Sequence, residues 1–377
     1  MKRFLIGQLA SFGDCVYATT VAKQIKNDYP GCHITWAVAS KYKSILELNP
    51  HIDEVWEIPL VNNDYYNVGW TNFEQEAEKR KREGVYDELI FTQLAKQHWQ
   101  RYDGTIRSST LSGYKKPITV PVDPVIRLSE KEIANVAGFA NSNNLKSFRE
   151  VILFEYSPGS GQSFVTEDIA LQIVSNIVSL HKDVCFVMSG PKKWSNTDLQ
   201  IIDASELTFR ENAELTKYCS LLVGCSSGIT WLSTSDWAKK LKTVQLLNKE
   251  YQFFAGVKYD LEYWKISTKG VIEITLNDVN HITKCLNGIL DNDFKATKEV
   301  FDELYRPEYF NFRNVMVIVM AMTNNKVGPM ISLIRHFSLR NKHFKLNRLL
   351  YYYLKEAGNI QRSRVNNFFR RFIHRFN

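Results

Sequence analysis

Residues 4–20 read FLIGQLASFGDCVYATT, and the parsing of this stretch decides the fold. FLIGQL is a short apolar run of the kind that forms a buried strand, and the following VAKQIKNDYP reads as an amphipathic helix with Ala22, Ile25 and Tyr29 on one face. Between them stand Ser11, Gly13 and Asp14. Glycine permits a tight turn, and aspartate caps N–H groups that lack a partner at a helix start. A strand, a glycine–aspartate turn and a helix also make the first half of a βαβ unit, whose turn falls at the edge where open α/β sheets bind ligands. The turn is therefore either a structural cap or part of a site.

The same alternation continues outward. HITWAV, VWEIPL and ELIFTQL are further strand-like runs, with KYKSILELNP helix-like between the first two. KKPITVPVDPVIRLS, residues 115–129, breaks the pattern with three prolines and reads as a linker. SEKEIANVAGFANS opens with a capping-box pair, Ser129 and Glu132. A second series then runs through VILFEY, a glycine-rich loop, a helix capped by Thr166, VCFVMSGP, AELTKYCS, LLVGCSSG, ITWLSTSDWA and TVQLL. Two αβ halves on one chain predict two Rossmann-like domains facing a cleft, the first over 1–128 and the second over 129–294, followed by a helical, basic extension over 295–377.

Composition narrows the class. The chain has 377 residues, 44% hydrophobic and 23% charged, which is globular and long enough for two cores. Its six cysteines are scattered without a CxxC pair, as expected of reduced thiols in a cytoplasmic protein. The opening apolar run is too short for a signal peptide, and VMVIVMAM at 315–322 is too short to span a bilayer. The net charge of +8 is uneven: residues 331–377 hold eleven Lys/Arg and one acidic residue, Glu356, so the remainder is close to neutral.

Three loops fall at the strand ends where chemistry is expected. They are the Ser11–Asp14 turn, SPGSGQS at 157–163 and CSSGIT at 225–230. The last two bring small residues and backbone N–H groups to helix starts, which is how a fold cradles phosphate. No GK[ST] loop is present, and GxGxxG is absent from the first strand–helix turn.

FLIGQLASFGDCVYATTVAKQIKNDYPGCHITWAV with LELNPHIDEVWEIP resembles the opening of glycosyltransferase family 9, the lipopolysaccharide heptosyltransferase family. YDELIFTQ, residues 86–93, resembles that family's next strand, and SPGSGQSFVTEDIALQIV and ELTKYCSLLVGCSSGITWLS resemble its two donor-side loops with their helices. The resemblance covers roughly residues 1–250 and implies a GT-B architecture, with the donor nucleotide held by the second domain. It implies Asp14 as the general base that takes the proton of the acceptor hydroxyl, in keeping with what a positioned carboxylate can do. It implies donor contacts from Ser157, Gly159, Ser160, Gly161 and Gln162, from Gly190, and from Ser226, Ser227, Gly228, Ile229 and Thr230. Ser11, Gly13, Gln93 and His98 fall where an acceptor would lie, His98 with a surface role as its alternative. Arg101 and Arg107 flank His98 and could meet an anionic acceptor or simply face solvent.

The chain departs from the family where Asp-Ser-Gly-x-x-His is expected: Ser226 replaces the aspartate and Trp231 the histidine. Gln162 and Phe164 replace the family's lysine and tryptophan, so ADP-heptose is not expected as the donor. Loop N–H groups can stabilise a departing diphosphate, so no metal or resident cofactor is expected beyond the nucleotide-sugar co-substrate. Asp291 and Asp293 mimic a metal-binding DxD but end a helix pattern. In the tail, Ile360, Val365, Phe368, Phe369, Phe372, Ile373 and Phe376 form a stripe, with five arginines largely off it. That pattern suits an anionic membrane surface, or packing on the body, better than nucleic acid. The sequence thus predicts an inverting, metal-independent glycosyltransferase acting on a glycan or glycolipid acceptor at the inner membrane face; the alternative is a non-catalytic sugar- or nucleotide-binding protein.

Overall fold

The computed structural model describes residues 1–59, 64–159, 161–195, 197–198, 200–250 and 253–373, and beyond residue 359 it describes a side chain only at Arg362. The first sheet contains β1 (Arg3–Gly7), β2 (His33–Ala39), β3 (Glu54–Ile58) and β4 (Glu88–Phe91), all parallel, in the order β3-β2-β1-β4. Helix α1 (Phe12–Asp28) connects β1 to β2, and α2 (Val68–Arg82) precedes β4. KYKSILELNP, with its helical pattern, forms a 3₁₀ helix over Ser40–Leu46. After β4 come a 3₁₀ helix over Lys96–Arg101 and α3 (Ile106–Leu111). The linker segment is irregular and pinned to α1: Gln24 Oε1 accepts from the N–H groups of Thr119 (2.7 Å) and Val120 (3.0 Å), and Thr19 Oγ1 from that of Val125 (2.8 Å).

Helix α4 (Glu130–Ser142) starts with the expected capping box, in which the Ser129 N–H donates to Glu132 Oε2 at 2.8 Å and the Glu132 N–H to Ser129 Oγ at 3.3 Å. The second sheet comprises β5 (Glu150–Glu155), β6 (Val184–Ser189), β7 (Ile201–Asp203), β8 (Leu221–Gly224), β9 (Lys242–Leu246) and β10 (Val271–Ile274). It is parallel throughout, in the order β10-β9-β8-β5-β6-β7. Helices α5 (Glu167–Leu180), α6 (Glu211–Leu215), α7 (Gly228–Leu232), α8 (Val257–Tyr263) and α9 (Val279–Asp291) fill the connections. Every residue of β6 is buried, as expected when helices cover both faces of a parallel sheet.

The chain ends in α10 (Phe294–Phe301), α11 (Tyr309–Met322), α12 (Val327–Arg340) and α13 (Leu346–Ile373). Helices α11 and α12 return to the first half: Tyr102 lies in one core with Phe312, Met316, Leu333 and Phe337. The Asn341 side-chain amide donates to the Asp103 carbonyl at 2.7 Å. Nearby, Arg107, 1% exposed, places Nε 3.3 Å from Asp260 Oδ2 and so ties α3 to α8.

Arg210 is a second buried arginine that ties the two halves together. Only 2% exposed, it donates to both oxygens of Glu132 (2.9 and 2.6 Å) and, through Nη1, to the carbonyls of Ser44 and Glu47, each at 2.9 Å. Removing the guanidinium would leave the Glu132 carboxylate without its buried cation and take one donor from each of two carbonyls. Arg210→Met should therefore lower unfolding stability by about 3 kcal/mol, measured by urea denaturation; a loss below about 1 kcal/mol would show that water replaces the arginine.

Candidate active site

Strand order locates the site. In the first sheet the chain proceeds from β1 outward to β3 and then returns to β4 on the other side of β1; in the second it proceeds from β5 to β7 and returns to β8 on the other side of β5. Parallel sheets bind ligands in the crevice beyond the carboxyl ends of the strands at such a reversal. The loops after β1 and β4 carry Ser11–Asp14 and Gln93–His98; those after β5 and β8 carry residues 157–163 and 225–230.

These reversals face each other and touch. The rings of Phe12 and Phe209 are 4.5 Å apart and those of Tyr17 and Trp231 are 4.8 Å apart. A Cβ on Gly228 would lie 2.8 Å from the Phe209 ring and 3.4 Å from Phe12 Cβ, so this close approach requires glycine. A Cβ on Gly13 would stand at an ordinary 3.5 Å from Trp231 Cδ1. Trp231, where the family has histidine, is thus part of the contact between the halves, and its Nε1–H donates to the Ser226 carbonyl at 3.2 Å.

Asp14 occupies the third position of α1, with Ser11 as N-cap. Its Oδ2 accepts from the Ser11 N–H (3.5 Å) and hydroxyl (3.4 Å), so it closes a capping box rather than standing at the cap. Burial pushes its pKa up to about 6, against the pull of those two donors. Tyr66, which the sequence did not single out and which keeps 40% of its surface exposed, stands beside Ser11 and Asp14, and its ionisation is pushed up by desolvation and then by the charge of Asp14. Its position in a polar loop after β3 carried no pattern that could have marked it.

Gln93 and His98 have fold-internal partners. The Gln93 Oε1 accepts from the N–H groups of Leu9 (2.7 Å) and Ala10 (3.0 Å), and its Nε2 donates to the Tyr65 carbonyl (2.6 Å), so it holds the turn that carries Asp14. His98 Nε2 is 2.8 Å from Glu74 Oε1, and its ring packs edge-on to Trp70 and Phe91. Burial lowers the His98 pKa despite Glu74. Arg101 binds the carbonyls of Phe91, Thr92 and Gln93 at the end of β4, and burial lowers its pKa to about 10. Arg107 is buried beside Asp260, not on a solvated face.

On the second sheet, Glu155 at the end of β5 is decisive and was not foreseen. It is 4% exposed and accepts from the N–H groups of Cys225 (3.1 Å), Ile229 (2.8 Å) and Thr230 (3.3 Å) and from the Thr230 hydroxyl (2.7 Å). An internal carboxylate therefore sits on donors expected to meet a phosphate. Its burial raises its pKa, opposed by those hydrogen bonds. The Ser226 N–H donates to Gln245 Oε1 at 2.9 Å, and Ser226 is itself buried in the left-handed region at φ 51°. Ser227 and Gly228 precede these committed groups, and neither N–H has a hydrogen-bond acceptor among the described residues.

Gly161 adopts φ +66° with open space beside it, so backbone conformation explains this glycine. Ser157 is partly exposed and Gly159 exposed in the same loop; Ser160 lies outside the described residues. The carbonyl of Gln162 accepts from the Asn248 N–H at 3.0 Å. Gly190 lies against the Tyr156 ring. Asp293 caps α10, accepting from the N–H groups of Lys295 (2.6 Å) and Ala296 (2.9 Å). Among the described residues no group of three or more His, Cys, Asp or Glu is placed to hold a metal ion.

No protein-family model matches the chain, and no curated protein matches it. Among solved structures it is similar to a glycosyl transferase family 9 protein from Veillonella parvula, with 16% identity over 76% of this chain and 89% of that one and a TM-score of 0.54. It is also similar to the E. coli heptosyltransferase WaaC solved with ADP (12% identity, 77% and 99% of the two chains, TM-score 0.47). A further match is E. coli ADP-heptose lps heptosyltransferase II (16% identity, 66% and 85%, TM-score 0.43). The Veillonella likeness and the two facing parallel sheets establish the GT-B fold, in agreement with the resemblance read from the sequence.

Glu155→Gln keeps the side-chain shape but aims an NH₂ group at N–H donors. It should destabilise the protein by about 2 kcal/mol in chemical denaturation. Unchanged stability would mean that the 225–230 loop is held without this charge.

Proposed function

We propose that the protein is an inverting, metal-independent glycosyltransferase that moves a sugar from a nucleotide-sugar donor to a hydroxyl of a lipopolysaccharide, capsule or other surface-glycan acceptor. The observation that carries this reading is Asp14: a carboxylate at the reversal point of the first sheet, facing the reversal point of the second, with its pKa raised to about 6 by burial. At neutral pH such a group is largely ionised yet basic enough to accept a proton in a transition state. The acceptor oxygen would lose its proton to Asp14 as it attacks the anomeric carbon from the face opposite the leaving diphosphate, so the configuration inverts. The loop at 157–162 and the N–H groups of Ser227 and Gly228 would receive the developing charge. Glu155 would keep the diphosphate away from Ile229 and Thr230. The name of the Veillonella relative supports the same class of reaction.

The second reading, a sugar- or nucleotide-binding protein without turnover, draws on Glu155 and on Ser226 and Trp231 in place of the family's aspartate and histidine. Turnover assays separate the two. Asp14→Asn should lower turnover by roughly 10²–10⁴-fold with little change in donor affinity. In the wild type, activity should rise with pH through about 6, because the base works only when deprotonated. Linkage gives the variant a second signature. A carboxyl whose pKa is higher folded than unfolded favours the fold below about 3.8 and loses that contribution as pH rises through about 6. Asp14→Asn should thus gain stability relative to wild type from pH 4 to pH 7. Near-normal turnover in a folded Asp14→Asn protein would leave Asp14 a capping residue.

We further propose that residues 331–377 hold the enzyme on an anionic membrane, at the cytoplasmic face. Among the described residues no helix is long and apolar enough to cross a membrane. Leu346, Leu350 and Leu354 recur every four residues on α13 and are 54%, 42% and 67% exposed, beside Lys342, Lys345, Arg348 and Lys355. The phenylalanine stripe at 360–376 lies outside the described side chains, and α13 continues as helix to Ile373. Leu350→Ser with Leu354→Ser should reduce co-sedimentation with anionic liposomes, and high salt should weaken wild-type binding. Wild-type protein that never co-sediments would remove the membrane from this reading.

A further inference from the structure

A cleft of about 640 Å³ opens beyond the carboxyl ends of β9 and β10, between Lys249 and Thr275 and the segments leading into α11 and α13. None of residues 11–14, 157–163 or 225–230 lines it. We propose that it is a second, phosphate-recognising pocket, for a phosphate ester or diphosphate with a compact body.

The cations carry the argument. Lys249, Arg306 and the Lys345/Arg348 pair line the cleft from three separate points of the chain, and none of the four has a carboxylate within 4.0 Å among the described residues. Two carboxylates also line it, and one of them, Glu303, is bonded by the Thr275 hydroxyl. Two guanidinium forks and two ammonium groups around one space match the oxygens of a phosphate or diphosphate. Four cations against two carboxylates leave the lining with a net positive charge, and an anion placed among the cations reduces their mutual repulsion.

The walls are built rather than incidental. Tyr305 is 5% exposed and is held on three sides: its N–H donates to Glu273 Oε2 (3.3 Å), its carbonyl accepts from the Gly256 N–H (3.0 Å), and its hydroxyl donates to the Lys249 carbonyl (3.2 Å). Pro307 and Phe344 add apolar surface, and the Tyr309 hydroxyl is buried with no hydrogen-bond partner among the described residues. The volume lies within the range of small-molecule sites. The apolar walls would take the body of the ligand and the cations its phosphate. The source is either a soluble phosphate compound or a lipid headgroup, since Lys345 and Arg348 belong to the segment that also carries the exposed leucines of α13.

Inorganic pyrophosphate, titrated into the 377-residue protein by calorimetry, tests the pocket. Wild type should bind it with an affinity that falls as salt is added. Lys249→Glu with Arg306→Glu should weaken binding by about tenfold or more, and so should Lys345→Glu alone. Lys146→Glu with Lys269→Glu, the same change in net charge at exposed positions elsewhere, should leave it intact, as should Asp14→Asn. Vesicles of phosphatidylcholine with phosphatidate then identify the source. Loss of vesicle binding by the Lys249/Arg306 variant points to a lipid headgroup, and retention points to a soluble phosphate. The proposal is overturned if wild type does not bind pyrophosphate at millimolar concentration, or if the cleft variants, folded by circular dichroism, bind it as wild type does. Neither result bears on Asp14 as the proton acceptor.

Discussion

The direct contact between the starts of α1 and α7 is the constraint on which the site depends. Both helices follow inner strands of their sheets, and both carry a glycine in their first two residues, Gly13 in α1 and Gly228 in α7. Gly228 lets the Phe12 and Phe209 rings meet beside it, and Trp231 closes over Gly13. Any larger side chain at Gly228 would push the two carboxyl edges apart. The two reversal points are therefore brought face to face by aromatic packing. Arg210 and the Arg107–Asp260 pair hold the same geometry from either side with buried charge. Such pairs contribute little net stability over apolar packing, but they tolerate few alternative arrangements.

Glu155 changes how the second reversal point can act. In a Rossmann-type loop the N–H groups at the helix start are the natural cradle for a phosphate. Here a carboxylate from the neighbouring strand already occupies those of Ile229 and Thr230, and the Thr230 hydroxyl with them. The sequence lacks an aspartate at position 226, yet the fold returns a negative charge to the same loop from position 155. The charge is now internal, nearly inaccessible, and engaged in holding the loop. What is left for a ligand is the outer part of the turn, Ser227 and Gly228, together with the open glycine loop after β5.

The first reversal point shows the opposite arrangement. Its polar side chains hold the backbone, and one carboxylate is left with only weak donors. Gln93 and Arg101 bind carbonyls and N–H groups of the loops themselves, and Asp14 receives two long hydrogen bonds from Ser11. A carboxylate desolvated without a cation beside it becomes more basic, which is the property a proton acceptor needs. The capping role and the basicity come from one placement, so neither reading of Asp14 displaces the other.

Much of the fold was legible in residue pattern. Strand-like runs such as VILFEY and VCFVMSG, each followed by a glycine-bearing turn and a helix, specify parallel αβ units because a strand covered on both faces must be apolar throughout. The capping box at Ser129 and Glu132 and the proline-rich linker were equally local. Strand β7, three residues long, and β10, followed closely by a capped helix, are too short to carry a period, and α2 is so rich in charge that its apolar face is thin. The sequence by itself determined the two-sheet architecture, the loops at the strand ends and the presence of a carboxylate at position 14, because these follow from local periodicity and turn chemistry. Which polar groups remain available was decided only by the tertiary structure. The partners of Gln93, His98, Arg107 and Thr230 come from segments up to 153 residues away in the chain, and burial beside such partners, not residue type, sets whether a side chain holds the fold or faces a ligand.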